Sequence, residues 1–136
     1  MNKFYMLAAA AGTLILGSSA VIAQEMTLAG AQVLMSTIPG MTDCTTPGAA
    51  PVIPDGATVA EEAIMGAIGE FQTHMTDSET YRTCLLSVAT EAGDSITDQQ
   101  NLAVTMVHDD NAEKIEILGA AMNEEIRAYN VANPSN

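Results

Sequence analysis

Apolar positions recur at helical spacing along most of the chain. Strict alternation of the kind a half-buried strand needs is hard to find over even five residues. Ile64, Ile68, Phe71 and Met75 follow one another at intervals of four and three, and Tyr81, Leu85, Val88 and Ala92 resume the same spacing. This stripe predicts a helix over 59–92, with a weak point at Thr76-Asp77-Ser78. Thr58-Val59-Ala60-Glu61 reads as its capping box, Thr58 as N-cap and Glu61 at the third helical position. Gly93-Asp94-Ser95 supplies a glycine stop. Thr97-Asp98-Gln99-Gln100 is a second capping box, and Leu102, Met106, Ile115, Leu118, Met122 and Tyr129 mark the buried stripe of a helix over 98–132, ended before Pro134. So short a connection makes the two helices antiparallel neighbours, pairing positions whose numbers sum to about 190.

Ahead of this hairpin (58–133) lies a different kind of chain, residues 24–57. Leu28, Leu34 and Ile38 line one face of a short helix ended by Pro39-Gly40, too short to stand alone. Residues 43–57 hold Pro47, Pro51 and Pro54 with Gly48 and Gly56. Proline fixes φ and biases its predecessor toward extended geometry, so this stretch is expected to run extended, turning at Pro54-Asp55-Gly56.

The first 23 residues have the order of a secretory signal peptide. Lys3 is a short positive region, Phe4 to Ile22 carries no charge, and small residues lead to Val21-Ile22-Ala23 before the polar Gln24-Glu25. Cleavage after Ala23 is expected. The competing reading is an uncleaved anchor, since about 19 uncharged residues just span a bilayer.

Export sets how the rest is read. The 113 residues left after cleavage carry Arg82, Lys114 and Arg127 against 17 acidic residues, a formal charge of −14. Such a surface repels phosphate backbones and anionic headgroups, which argues against nucleic acid as a partner and against membrane binding after cleavage. Cys44 and Cys84 are the only cysteines, and in an oxidising compartment an isolated pair forms a disulfide. Chain geometry allows it. The 26 residues from Thr58 to Cys84 are roughly 39 Å of helix. The 14 residues from Cys44 to Thr58 reach about 46 Å when extended. The proline-rich segment can therefore run back along the first helix, and Gly66 and Gly69 suggest a close backbone there, such as Val52-Ile53.

Cys44, Pro47, Pro51, Ile53-Pro54-Asp55-Gly56, Glu61, Phe71, Tyr81 and Cys84-Leu85 together resemble a pattern recurring in small uncharacterised exported bacterial proteins, roughly C-x-x-P-x-x-P-x-I-P-D-G, with one residue more here between Pro47 and Pro51, followed by a helix ending in Y-x-x-C-L. The resemblance spans about Cys44 to Pro134. It implies a periplasmic address and this strapped architecture, and no active site.

The architecture expected is thus all-α: a long antiparallel two-helix hairpin with an extended proline-rich N-terminal segment tethered by a disulfide. Chemistry is sparse. His74 and His108, placed by the pairing rule about 12 Å apart along the axis, do not share a metal. His108, Asp109, Asp110 and Glu113 form the densest polar cluster, a weak cation or polar site. Against that reading, Asp110 can pair with Lys114 and Asp109 with Arg82 across the hairpin. Glu79–Arg82 and Glu124–Arg127 are further helical ion pairs. Met75, Met106 and Met122 fall on core positions, which favours packing over copper binding. No nucleophile context and no phosphate loop is present, so an enzyme, a metal and a cofactor are not expected. The leading expectation is a non-enzymatic periplasmic interaction or structural protein presenting an acidic helical surface, partnered by a second copy or another periplasmic protein. The alternative is a small-ligand or divalent-cation binding protein.

Overall fold

The computed structural model describes residues 25–134; the leader expected over 1–23 lies outside them. Three α-helices, α1 (Leu28–Met35), α2 (Glu61–Ala92) and α3 (Asp98–Ala132), account for the fold together with two short 3-10 turns, and the described residues contain no strand. The long helices α2 and α3 form the expected antiparallel hairpin. Its register follows the pairing rule: Phe71 packs against Gly119, and their numbers sum to 190.

The turn between α2 and α3 is built as the sequence implies. Gly93 caps α2 at φ +50, a backbone state that costs glycine nothing. A 3-10 turn over Gly93–Ser95 follows. Thr97 then caps α3 in a complete capping box, its hydroxyl accepting from the Gln100 amide while the Gln100 side chain accepts from the Thr97 amide.

The start of α2 differs from expectation. Its N-cap is Ala60, with no side-chain cap, and the helix begins at Glu61 rather than near Val59. Asp55 captures the residues that the capping box needed. Its carbonyl accepts from the Thr58 and Val59 amides, at 3.1 and 3.2 Å, and from the Thr58 hydroxyl. Its carboxylate accepts from the Ala57 amide at 3.1 Å. The turn closed on the Asp55 carbonyl thus holds Thr58 and Val59 outside the helix, and Glu61 and Glu62 in the first turn offset the missing cap through the helix dipole. Nor does α2 loosen at Thr76-Asp77-Ser78. The Thr76 hydroxyl donates to the Gln72 carbonyl one turn back, and Ser78 is fully buried.

α1 is the short helix expected in 24–42, and it docks, packing chiefly on α3. Ala31, Met35 and Ile38, at helical spacing, enter a core with Met41, Tyr81, Leu85, Ala103, Val104 and Val107. Leu85 and Ile38 are the largest fully buried apolar side chains there, each contributing about 1.5–3 kcal/mol. This core sits at the closed end of the hairpin. It also re-phases the first turns of α3: Ala103, Val104 and Val107 face inward, while Leu102 is 52% exposed. α1 approaches from a side that a bare hairpin would leave open, so the buried stripe there is wider than two helices require. Farther along, Ile64, Ala67 and Met122 are the buried apolar residues toward the open end. Met122 is thus core as expected, whereas Met75 is 40% exposed.

Cys44 and Cys84 form the expected disulfide, with their Cα atoms 5.6 Å apart. From it, residues 45–57 run without regular structure as a strap toward the open end. The strap does not rest on Gly66 and Gly69, where an added β-carbon would meet nothing within 4 Å. It ends instead against α3. A β-carbon on Gly56 would lie 1.8 Å from the Glu125 carbonyl oxygen, and the Gly56 amide donates to the Glu125 carboxylate at 2.7 Å. The close backbone approach belongs to Gly56, and the interior glycines of α2 face a shallow open groove.

Candidate functional site

The strap, α1 and the hairpin seam together border an open-sided cavity of about 480 Å³. Thr46, Pro47, Gly48 and Ala50 of the strap line one side, and Gln32 of α1 lines one end. α2 contributes His74 and Tyr81, two turns apart, and α3 contributes a run from Val107 to Ala121. The wall is mostly apolar, through Pro47, Val107, Ile117, Leu118 and Ala121, with Asp110, Asn111 and Lys114 set into it. A second cavity lies beside the disulfide, between Met35, Met41, Cys44 and Tyr81, and it shares Gln32, Thr46 and Tyr81 with the first.

Three features define the electrostatics. Lys114 and Asp110 pair at 2.7 Å, so the one cation in the wall is locally neutralised. Tyr81 is buried, and desolvation pushes its phenol above the ordinary value of 10.0, so its hydroxyl is uncharged at any physiological pH. The Asn111 side-chain oxygen is buried and has no hydrogen-bond partner among the described residues. Such an acceptor costs about 1–3 kcal/mol unless something donates to it. Ser78 Oγ and Arg82 Nε share that condition on the facing stretch of α2.

The residues singled out from sequence are divided by this geometry. His108 Nδ1 lies 2.9 Å from an Asp109 carboxylate oxygen, with Asp109 largely exposed. Asp110 turns to Lys114 and into the cavity wall, and Glu113 is exposed without an ion pair. The four are neighbours on α3 and not one convergent site. Among the described residues, no group of three or more His, Cys, Asp or Glu side chains is arranged to hold a metal ion. Arg82 does not reach Asp109, and the Glu79–Arg82 pair does not form; Lys114–Asp110 and Arg127–Glu124 do. Arg82, His108 and Asp109 do not line the cavity.

Sequence reasoning missed Asn111, Tyr81 and the strap residues as a lining. The disulfide reach calculation already laid the strap along the hairpin. Asn111, two positions from Asp109 and one from Asp110, falls on the inward face once α1 re-phases α3. No family model matches this chain, and neither does any curated protein or solved structure with which it was compared. Among the described residues, no helix is long and apolar enough to cross a membrane.

Proposed function

We propose that this chain is an exported, non-catalytic binding protein that takes up a small molecule beneath its disulfide-anchored strap. The cavity between strap and hairpin carries the reading. It has the size and the mostly apolar lining, with a few convergent polar groups, that small-molecule sites share. Export rests on the leader pattern of residues 1–23 and agrees with the Cys44–Cys84 bond, which an oxidising compartment maintains. A periplasmic address further follows the resemblance of the Cys44-to-Leu85 pattern to small exported bacterial proteins.

Titration with Nile red, a neutral solvatochromic dye, tests the binding. Saturable one-to-one fluorescence gain is expected for the native chain, and its loss in Ala121→Phe, which narrows the cavity from an exposed position. Unsaturable gain, or gain indifferent to Ala121→Phe, would sink the reading. Native mass spectrometry of protein recovered from the export compartment tests the address. The expected species lacks residues 1–23 and is two hydrogens lighter than the dithiol, whereas retention of the leader would restore the anchor reading.

A second reading, an interaction or structural protein with a second copy as partner, draws on a specific observation. Met65, Ile117 and Val131 are 59%, 63% and 82% exposed, alongside a surface dominated by carboxylates. Analytical ultracentrifugation decides it. A two-chain mass that falls to one chain in Met65→Glu supports the dimer, and a single-chain mass at all concentrations removes it.

A further inference from the structure

We infer that the ligand of the strap cavity is a neutral amphiphile with a hydroxylated head, a glycoside or a glyceride, a proposal that rests on the binding reading above. Tyr81 carries it. The residue lines both cavities, and only 7% of it is exposed. Its hydroxyl makes no hydrogen bond among the described residues, yet it is not one of the sealed, partnerless atoms, which are Ser78 Oγ, Arg82 Nε and Asn111 Oδ1. The hydroxyl is therefore open to a visitor. The two cavities share Gln32, Thr46 and Tyr81, so they adjoin where that hydroxyl is available. A phenol in that position can both donate and accept a hydrogen bond.

The two sides of Tyr81 differ in chemistry. Along the hairpin seam, Pro47, Val107, Ile117 and Leu118 offer an apolar channel for a chain. Beside the disulfide, the cavity of about 530 Å³ is lined by no charged side chain. Its floor holds Met35 and Met41, and its polar groups are the Gln32 amide and the hydroxyls of Ser36, Thr42, Thr45 and Thr46. Ser36 donates to the Val33 carbonyl, while the three threonine hydroxyls make no hydrogen bond among the described residues. Amide and hydroxyls donate and accept alike, which matches a head whose groups do the same. A charged head there would give up water without meeting an opposite charge. The Lys114–Asp110 pair stands in the wall of the other cavity and is already complete at 2.7 Å.

The probes are decyl glucoside, 1-decanoylglycerol, decylammonium and decanoate, titrated calorimetrically into the oxidised protein below their micelle concentrations. They present chains of similar length and differ in the head. At least one hydroxylated probe is expected to bind one to one and at least about tenfold tighter than either charged probe. The tighter of the two tells glycoside from glyceride. Tyr81→Phe keeps the ring and strands no partner, so it should melt as the native chain does. It is expected to weaken the hydroxylated probe about three- to tenfold, the effect of one neutral hydrogen bond, and to leave the charged probes unchanged. Thr46→Val, at the shared edge, reads the same loss from an exposed position should Tyr81→Phe fold poorly. Charged probes that bind as tightly as the hydroxylated ones overturn the head assignment, as does indifference of the hydroxylated probes to both variants. If all four probes fail while Nile red still saturates, the head assignment falls and the binding reading stands. If Nile red fails as well on a folded native chain, both fall.

Discussion

A buried hydroxyl with nothing to bond is a cost that folding carries, and Ser78 is the plainest case. It is 0% exposed, and its Oγ has no partner among the described residues. Ser78→Ala removes that orphan and gains helix propensity, so stability should rise by about 1 kcal/mol, read as a higher urea midpoint. A fall of similar size would mean that the hydroxyl is satisfied in solution. Tyr81 gives a second test at this scale. Burial raises its phenol pKa above the ordinary 10.0, so the folded state holds the proton more tightly than the unfolded chain. Its contribution to stability is intact below about pH 10 and is lost as pH rises through the higher folded value. Native protein should therefore lose stability above that pH more steeply than Tyr81→Phe, measured by urea unfolding soon after mixing. Parallel slopes would refute the assignment. Neither residue was singled out for this from sequence, because a serine or tyrosine on a helical stripe looks the same whether or not its oxygen finds a partner.

At the scale of elements, local signals were legible where they had no rival. The Thr97 capping box and the Gly93 stop are built as their sequences imply. The Thr58 capping box is not, because the Asp55 carbonyl three residues upstream gathers the Thr58 and Val59 amides into a turn and the helix starts only after Ala60. Periodicity placed both long helices to within two residues at their ends. It mis-phased the start of α3, because that phase is set by α1, a partner distant in sequence. The strap's path was half legible. Chain length required it to follow the hairpin, yet the glycine marking its close approach was not in α2 but in the strap itself. Gly56 abuts the Glu125 backbone, where a β-carbon would lie 1.8 Å from the carbonyl oxygen. Gly56→Ala is expected to lift the end of the strap off α3 and destabilise by about 1–3 kcal/mol. Hydrogen exchange should show faster amides at Gly56 and Ala57 in that variant. Gly66→Ala, with open space around it, should instead be neutral or stabilising by up to about 1 kcal/mol.

For the molecule as a whole, two long helices and an eight-residue third bury a modest core, while 17 carboxylates repel one another across it. The Cys44–Cys84 bond offsets both. It closes a loop of 40 residues that includes the whole strap and most of α2, and so withdraws much of the freedom of the unfolded chain. The chain-entropy model gives about 4 kcal/mol for a loop of that size. Small domains seldom hold more than about 5–15 kcal/mol in total. The pair replaced by serine, Cys44→Ser with Cys84→Ser, should therefore lose a large part of its stability. The loss should be worse in 20 mM than in 300 mM salt, since screening relieves carboxylate repulsion. The strap is also the roof of the cavity, so the same variant should bind Nile red weakly at temperatures where circular dichroism still reports helix. A midpoint within about 1 kcal/mol of the native protein would show that α1 and the Gly56–Glu125 contact hold the strap without the bond. Loss of stability with dye binding intact would place the dye elsewhere than beneath the strap.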